Sequence, residues 1–158
     1  MPGFLFREPG DLQDGEFQVV LTRRAEEDAG KGRAPSYWFT LRAQGKDVGM
    51  VNLRIGCGQE LDIREGHISY TVYPPFQGRH YAERACRLLL PLAKAHGMQE
   101  LWITCHPDNL ASRRTCERLG AVLVEIVVRP KSETSDMAVE GDGERCRYRI
   151  DLRRGQKV

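Results

Sequence analysis

Short runs of alternating apolar and polar residues recur along the chain, the period of a half-buried strand. They are Phe17, Val19 and Leu21; Tyr37, Phe39 and Leu41; Val51, Leu53 and Ile55; and Ile68, Tyr70 and Val72. The continuous run Leu101 to Cys105 reads as a fifth strand, and Val122, Val124, Ile126 and Val128 as a sixth. Cys146, Tyr148, Ile150 and Leu152 alternate with Arg145, Arg147, Arg149 and Asp151, giving a final strand with one wet face. Two segments carry the helical period instead, with apolar positions at Ala82, Ala85, Leu89 and Leu92, and at Leu110, Cys116 and Leu119. His96-Gly97 and Gly120 close these helices, and Asp108 or Asn109 caps the second one. Pro91 reads as a kink or last-turn adjustment, because the apolar spacing continues to Leu92. Gln44 to Asp47 is a tight hairpin turn and residues 25–35 are a loop. Residues 1–15 form an irregular lead-in and 153–158 a frayed tail. The polar, aperiodic stretch 129–144 is a mobile loop or a lid.

Chemistry concentrates between Ile68 and Leu92. Pro74 and Pro75 stop the strand, since neither can donate a ladder hydrogen bond. The turn Gln77-Gly78-Arg79-His80 leads at once into the first helix. A strand that stops beside a helix that starts leaves several N–H groups unpaired, and the helix dipole adds partial positive charge there. Such a turn suits a phosphate, although a plain strand–helix connection has the same composition.

The run V-x-P-x-x-Q-G-x-x-x-A, Val72 to Ala82, resembles the acetyl-CoA-binding motif of the GNAT superfamily of N-acetyltransferases. Asn109 to Gly120, NLASRRTCERLG, is similar to that superfamily's later helix, N-x-x-S/A-x-x-x-x-E-K/R-x-G. His80 departs from the motif, standing where the inner glycine allows close backbone approach to a pyrophosphate. The resemblance implies an α/β (α+β) fold over residues 1–158: a mixed, mostly antiparallel twisted sheet of about seven strands with two main helices. The helices that members carry between the first two strands are reduced or absent, because only about ten loop residues stand there.

It further implies an acetyl-CoA-dependent N-acetyltransferase acting on a primary amine by direct attack in a ternary complex. The alternative is a non-catalytic acyl-CoA-binding or partner-binding domain of the same fold. Backbone N–H groups of Gln77, Gly78, Arg79, His80, Tyr81 and Ala82 would cradle the pyrophosphate. The N–H near Val72 or Tyr73 would polarise the acyl carbonyl, and Asn109 would touch the pantetheine arm or simply cap its helix. Many members place an acidic Tyr where this chain has Cys116, which is either a proton donor matched to a leaving thiolate or a buried structural thiol. His67 and Glu65, at the start of the motif strand, are bases or surface residues, and His106 is a third choice. Asn52 and Arg54 project together from the third strand, as outward residues or as a clamp on an acidic acceptor.

Composition narrows the remaining classes. A chain of 158 residues suits one domain, and a net charge of +2 with scattered Arg pairs gives no nucleic-acid footprint. No apolar run approaches membrane-spanning length, and the N-terminus lacks a secretory apolar region, so a cytoplasmic location is expected. The five cysteines form no C-x-x-C pair and no zinc spacing, which fits reduced thiols and no metal. The expected partner is a small-molecule or peptide amine, with no nucleic acid and no membrane; a homodimer is left open.

Overall fold

The computed structural model describes residues 4–28, 30, 34–56, 66–128 and 143–153. Strands β1 (Gln13–Asp14), β2 (Phe17–Ala25), β3 (Ser36–Ala43), β4 (Lys46–Arg54) and β5 (Ile68–Val72) form one sheet in sequence order. Strands β6 (Glu100–Cys105), β7 (Val122–Val128) and β8 (Glu144–Asp151) form a second, ordered β6-β8-β7. Every pairing within the two sheets is antiparallel. Helix α1 (Tyr81–Ala95) links β5 to β6, and α2 (Leu110–Arg118) links β6 to β7. Among the described residues no helix is long and apolar enough to cross a membrane.

The core follows the alternation. Phe17, Tyr37, Phe39, Leu41, Leu53 and Ile68 point inward from the larger sheet and are almost fully buried. Ala85, Cys86, Leu89 and Ala93 of α1 meet them from one helical stripe. Pro91 lies on the exposed side of that helix, which runs on to Ala95. The β3–β4 hairpin is tighter than its composition suggests. Gln44 and Gly45 alone form the loop, with φ of 52° and 76°, and Lys46 and Asp47 already belong to β4.

Two local expectations change. Part of the lead-in is ordered by β1, because Arg84 of α1 grips Asp14 through its Nε at 2.8 Å. The lead-in is also pinned where the Arg7 N–H donates to the Tyr37 hydroxyl at 2.7 Å and Phe4 stacks on His96. β7 lacks the buried face its alternation implies, since it is an edge strand and a register shift between Leu123 and Glu125 breaks the period. Residues 57–65, 129–142 and 154–158 lie outside the described residues, and with them Cys57, Glu65 and most of the 129–144 loop.

Among the described residues one bridge joins the two sheets. Gly66 bridges to Ile103, the His67 N–H donates to the Trp102 carbonyl at 2.7 Å, and the Trp102 N–H donates to His67 Nδ1 at 2.9 Å. Gly66 has φ of 69°, and a Cβ there would sit 2.7 Å from the Trp102 carbonyl oxygen, so glycine is required at the joint. Beyond it β5 and β6 belong to different sheets, and a cleft opens along β5.

Candidate functional site

The cleft has a volume of about 560 Å³ and is walled by the end of β5, the turn after it and one face of α2. The ladder register decides which β5 groups face it. Tyr73 N–H donates to the Val48 carbonyl at 2.9 Å, so Tyr73 and Val48 form a hydrogen-bonded pair. In an antiparallel ladder the next pair, Val72 with Gly49, is then non-hydrogen-bonded, and the Val72 N–H and C=O point away from β4. The Val72 carbonyl accepts from Gln77 Nε2 at 3.0 Å, which folds the Gln77 side chain back along the strand end. Its N–H faces the splay. Of the two groups expected to polarise a carbonyl, Tyr73 is thus already engaged and Val72 is the one that is open.

The turn supplies more donors. Pro74–Phe76 forms one 3₁₀ turn, and Gly78 and His80 both take positive φ, 87° and 62°. His80, the N-cap of α1, makes no side-chain capping bond. Its left-handed backbone explains why the motif favours glycine at this position. From Gly78 to Glu83 no backbone N–H finds a protein acceptor among the described contacts, whereas Arg84 N–H donates to the His80 carbonyl at 3.0 Å. Consecutive free N–H groups at a helix start with alternating backbone handedness make an anion-binding nest. His80, Tyr81 and Ala82 line the cleft; Arg79 is exposed at the turn and does not. Tyr81 is fixed by stacking on Phe17, centroids 5.1 Å apart.

Helix α2 forms the other wall. Asn109 Oδ1 accepts the Ser112 N–H at 3.1 Å, so the cap is Asn109 and the same residue also faces the cleft. Ala111, Ser112, Arg114, Thr115 and Arg118 follow it on one helical face. Arg118 donates to Glu83 at 2.6 Å, and Arg87 reaches Glu83 at 3.2 Å, tying α2 to the start of α1. Burial pushes the Glu83 carboxyl up, but the hydrogen bonds from Arg118 and Arg87 outweigh it and hold the group below its ordinary range.

Ser112 and Tyr70 carry a pairing that the sequence reading missed. Their hydroxyls share a hydrogen bond at 2.7 Å, and both residues line the cleft. Burial raises the Tyr70 phenol well above its usual range, so it stays protonated. Ser112 stood within the quoted motif, and Tyr70 passed as an apolar member of the strand alternation. Only their meeting across 42 positions gives them a joint role.

Other expected residues stand elsewhere. Cys116 is fully buried behind Thr115, and burial pushes its thiol up to about 12, with Cys105 adding to the rise. The thiol stays protonated near neutrality, and Cys116 is not among the residues that line the cleft. His67 is 2% exposed, with Nδ1 accepting from Trp102 and Nε2 2.8 Å from the Gly56 carbonyl oxygen. Both ring nitrogens are used in closing the sheet joint, away from the cleft walls, and neither is left to take a substrate proton. His106 Nδ1 accepts the Asp108 N–H at 3.2 Å, shaping the turn before α2. Asn52 is buried, not outward, and its Oδ1 has no hydrogen-bond partner among the described residues. Arg54 donates to Ser69 Oγ at 3.1 Å. Among the described residues no group of three or more His, Cys, Asp or Glu is placed to hold a metal ion.

The fold and this arrangement define the class: a GNAT acetyltransferase architecture in which β5 splays from β6 and a nest of amides follows. A family model described as "Acetyltransferase (GNAT) domain" matches residues 4–122, and the chain belongs to that family. Solved structures agree at the level of the fold. The ribosomal L7/L12 alpha-N-protein acetyltransferase RimL is 17% identical with a TM-score of 0.57, over 74% of this chain and 70% of that one. The microcin C7 self-immunity acetyltransferase MccE, solved with acetyl-CoA and AMP, is 18% identical at TM-score 0.57, over 73% of this chain and 61% of that one. The ribosomal-protein-S5-alanine acetyltransferase from Vibrio fischeri is 16% identical at TM-score 0.58, over 74% of this chain and 62% of that one. This chain spans less than two thirds of the length of the last two. None of the curated proteins matches the chain in sequence.

Proposed function

We propose that the protein is an acetyl-CoA-dependent N-acetyltransferase that acetylates a primary amine by direct attack in a ternary complex. One observation carries this reading: Val72, with its outward N–H, and Gly78, His80, Tyr81 and Ala82, whose N–H groups have no acceptor among the described contacts, line one cleft. The nest would hold the donor's diphosphate, with Arg114 and Arg118 adding charge at the rim. Asn109 Nδ2 is free to meet a pantetheine carbonyl while Oδ1 caps α2. The Val72 N–H then lies at the inner end, where it would donate to the acyl oxygen as negative charge develops there.

Among the described cleft residues there is no carboxylate, and the base-capable side chain, His80, stands at the phosphate end. The amine is therefore expected to enter neutral, having lost its proton through water. Its nitrogen bonds to the acyl carbon, the carbon–sulphur bond breaks, and the excess proton on nitrogen must reach sulphur. Ser112 can carry it, giving its own hydroxyl proton to the leaving sulphur and taking one in return. Glu65, the carboxylate expected as a base, lies outside the described residues. The acceptor is a small-molecule or peptide amine. The surface at Arg54 and Ser69, beside the buried Asn52, is the one we assign to it, since only a short loop joins β2 to β3.

The lack of a cleft carboxylate also favours a second reading, an acyl-CoA-binding domain without turnover. Thermal unfolding with acetyl-CoA, ATP and NAD at millimolar concentration, followed by thiol release with a panel of amines, separates the cases. Stabilisation by acetyl-CoA alone, with thiol release, supports the enzyme. Stabilisation without release supports the binder, and no stabilisation removes both.

A further inference from the structure

The face of the larger sheet turned away from α1 carries a lateral row that the chemistry above leaves unused. Arg23 pairs with Trp38, Trp38 with Asn52, and Asn52 with Ser69, so these residues stand in line across β2, β3, β4 and β5. Arg23 reaches this face through the register shift between Leu21 and Arg23; by simple alternation it would share the inward face of Leu21. Its guanidinium lies over the Trp38 ring, 4.5 Å from the centroid, and Trp38 Nε1 is fixed by donating to Ser36 Oγ at 2.9 Å. Among the described residues Arg23 has no carboxylate partner, whereas Arg24 holds Glu8 and Arg42 holds Asp47. Asn52 is 5% exposed, and its Oδ1 has no donor among the described residues. A buried acceptor left without a donor is destabilising, and a stacked guanidinium keeps its N–H groups for a planar anion.

We infer that this row recognises the acceptor, and that the acceptor is an elongated amine whose far end carries a carboxylate. The inference rests on the N-acetyltransferase reading above and adds a substrate class to it. Ser69, on β5, stands nearest the splay; its Oγ accepts from Arg54 at 3.1 Å and keeps its own O–H to donate. Asn52 Oδ1 takes an N–H of the acceptor, and Arg23, held by its stacking on Trp38, meets the carboxylate as a two-pronged donor. The row also sets a length. Ser69 lies roughly 10 Å from Val72 along β5, and β2 lies roughly 14 Å from β5 across the sheet, less the reach of the arginine. The carboxylate therefore stands roughly 15 Å from the reacting nitrogen, about four or five residues of extended chain. A free α-amino acid is too short to span that distance, and a polyamine would set a cation against Arg23.

Thiol release from acetyl-CoA with oligoglycines of about two to six residues tests this, each as the free acid and as the C-terminal amide, with a long-chain diamine for comparison. At about four or five residues the acid should exceed its amide roughly tenfold in kcat/KM, with the difference in KM, and at two residues the forms should be equal. Arg23→Gln should bring the long acid down to the level of its amide, with circular dichroism unchanged. Equal rates for acid and amide at every length, a preference that Arg23→Gln leaves intact, or faster turnover of short or cationic amines would overturn this inference and leave the enzyme standing. Stabilisation by acetyl-CoA with no thiol release from any amine would remove the enzyme, and this inference with it.

Discussion

Tyr70 and Ser112 show how a hydroxyl of ordinary chemistry gains a role from its neighbour. Tyr70 is held protonated by burial, so its O–H can fix the Ser112 oxygen without competing for a proton. Tyr70→Phe should lower kcat about tenfold with little change in KM, the size of one lost hydrogen bond acting in the transition state. Ser112→Ala should cost about a hundredfold, and the double variant no more than Ser112→Ala alone. Additive losses in steady-state kinetics would show that the two hydroxyls act separately. Cys116 gives the opposite expectation. Its thiol is raised to about 12, so Cys116→Ala should retain turnover within about threefold, and iodoacetamide at neutral pH should leave Cys116 unmodified in the folded protein. His80 bears a cost of its own. His80→Gly relieves a left-handed backbone, and urea unfolding should find the variant about 1 kcal/mol more stable.

The lead-in and the end of α1 hold each other through one histidine. The Tyr37 hydroxyl accepts from the Arg7 N–H and lies 2.6 Å from His96 Nε2, so its proton points to a neutral imidazole. Burial, with help from Arg7, lowers the His96 pKa from 6.5. The unfolded chain thus binds the proton more readily than the folded one below pH about 6.5, and stability falls as pH drops through that window. Above it the contribution is complete. Urea midpoints between pH 5 and 7.5 should show a slope that His96→Phe flattens; an unaltered slope in the variant would assign the dependence to other groups. The alternation of Phe17 to Leu21, Tyr37 to Leu41 and Ile68 to Val72 made the larger sheet readable, because each of those strands has one buried face. β7 was read as a strand and is one, but its exposure was not legible, since an edge position and a register shift leave no trace in hydrophobicity. β1 was missed because it is held by an arginine 70 residues away.

For the molecule as a whole, the order of two motifs made the fold legible. Val72 to Ala82 and Asn109 to Gly120 do become neighbouring walls of one cleft. What spacing could not give was direction. Whether Val72 or Tyr73 offers its N–H depends on ladder parity, which Val48 decides. Whether Cys116 or Ser112 lines the cleft depends on how α2 is turned about its axis, since both are buried residues of the same nine-residue helix.

The measurement that bears most directly on the proposed enzyme is amide NMR during titration with acetyl-CoA and, separately, with CoA. The Gly78 to Glu83 amides should shift and become protected with either ligand, and the Val72 amide should respond more strongly to acetyl-CoA, which alone carries the acyl oxygen. Shifts confined to other surfaces, or a Val72 amide indifferent to the acetyl group, would contradict the assignment of this cleft.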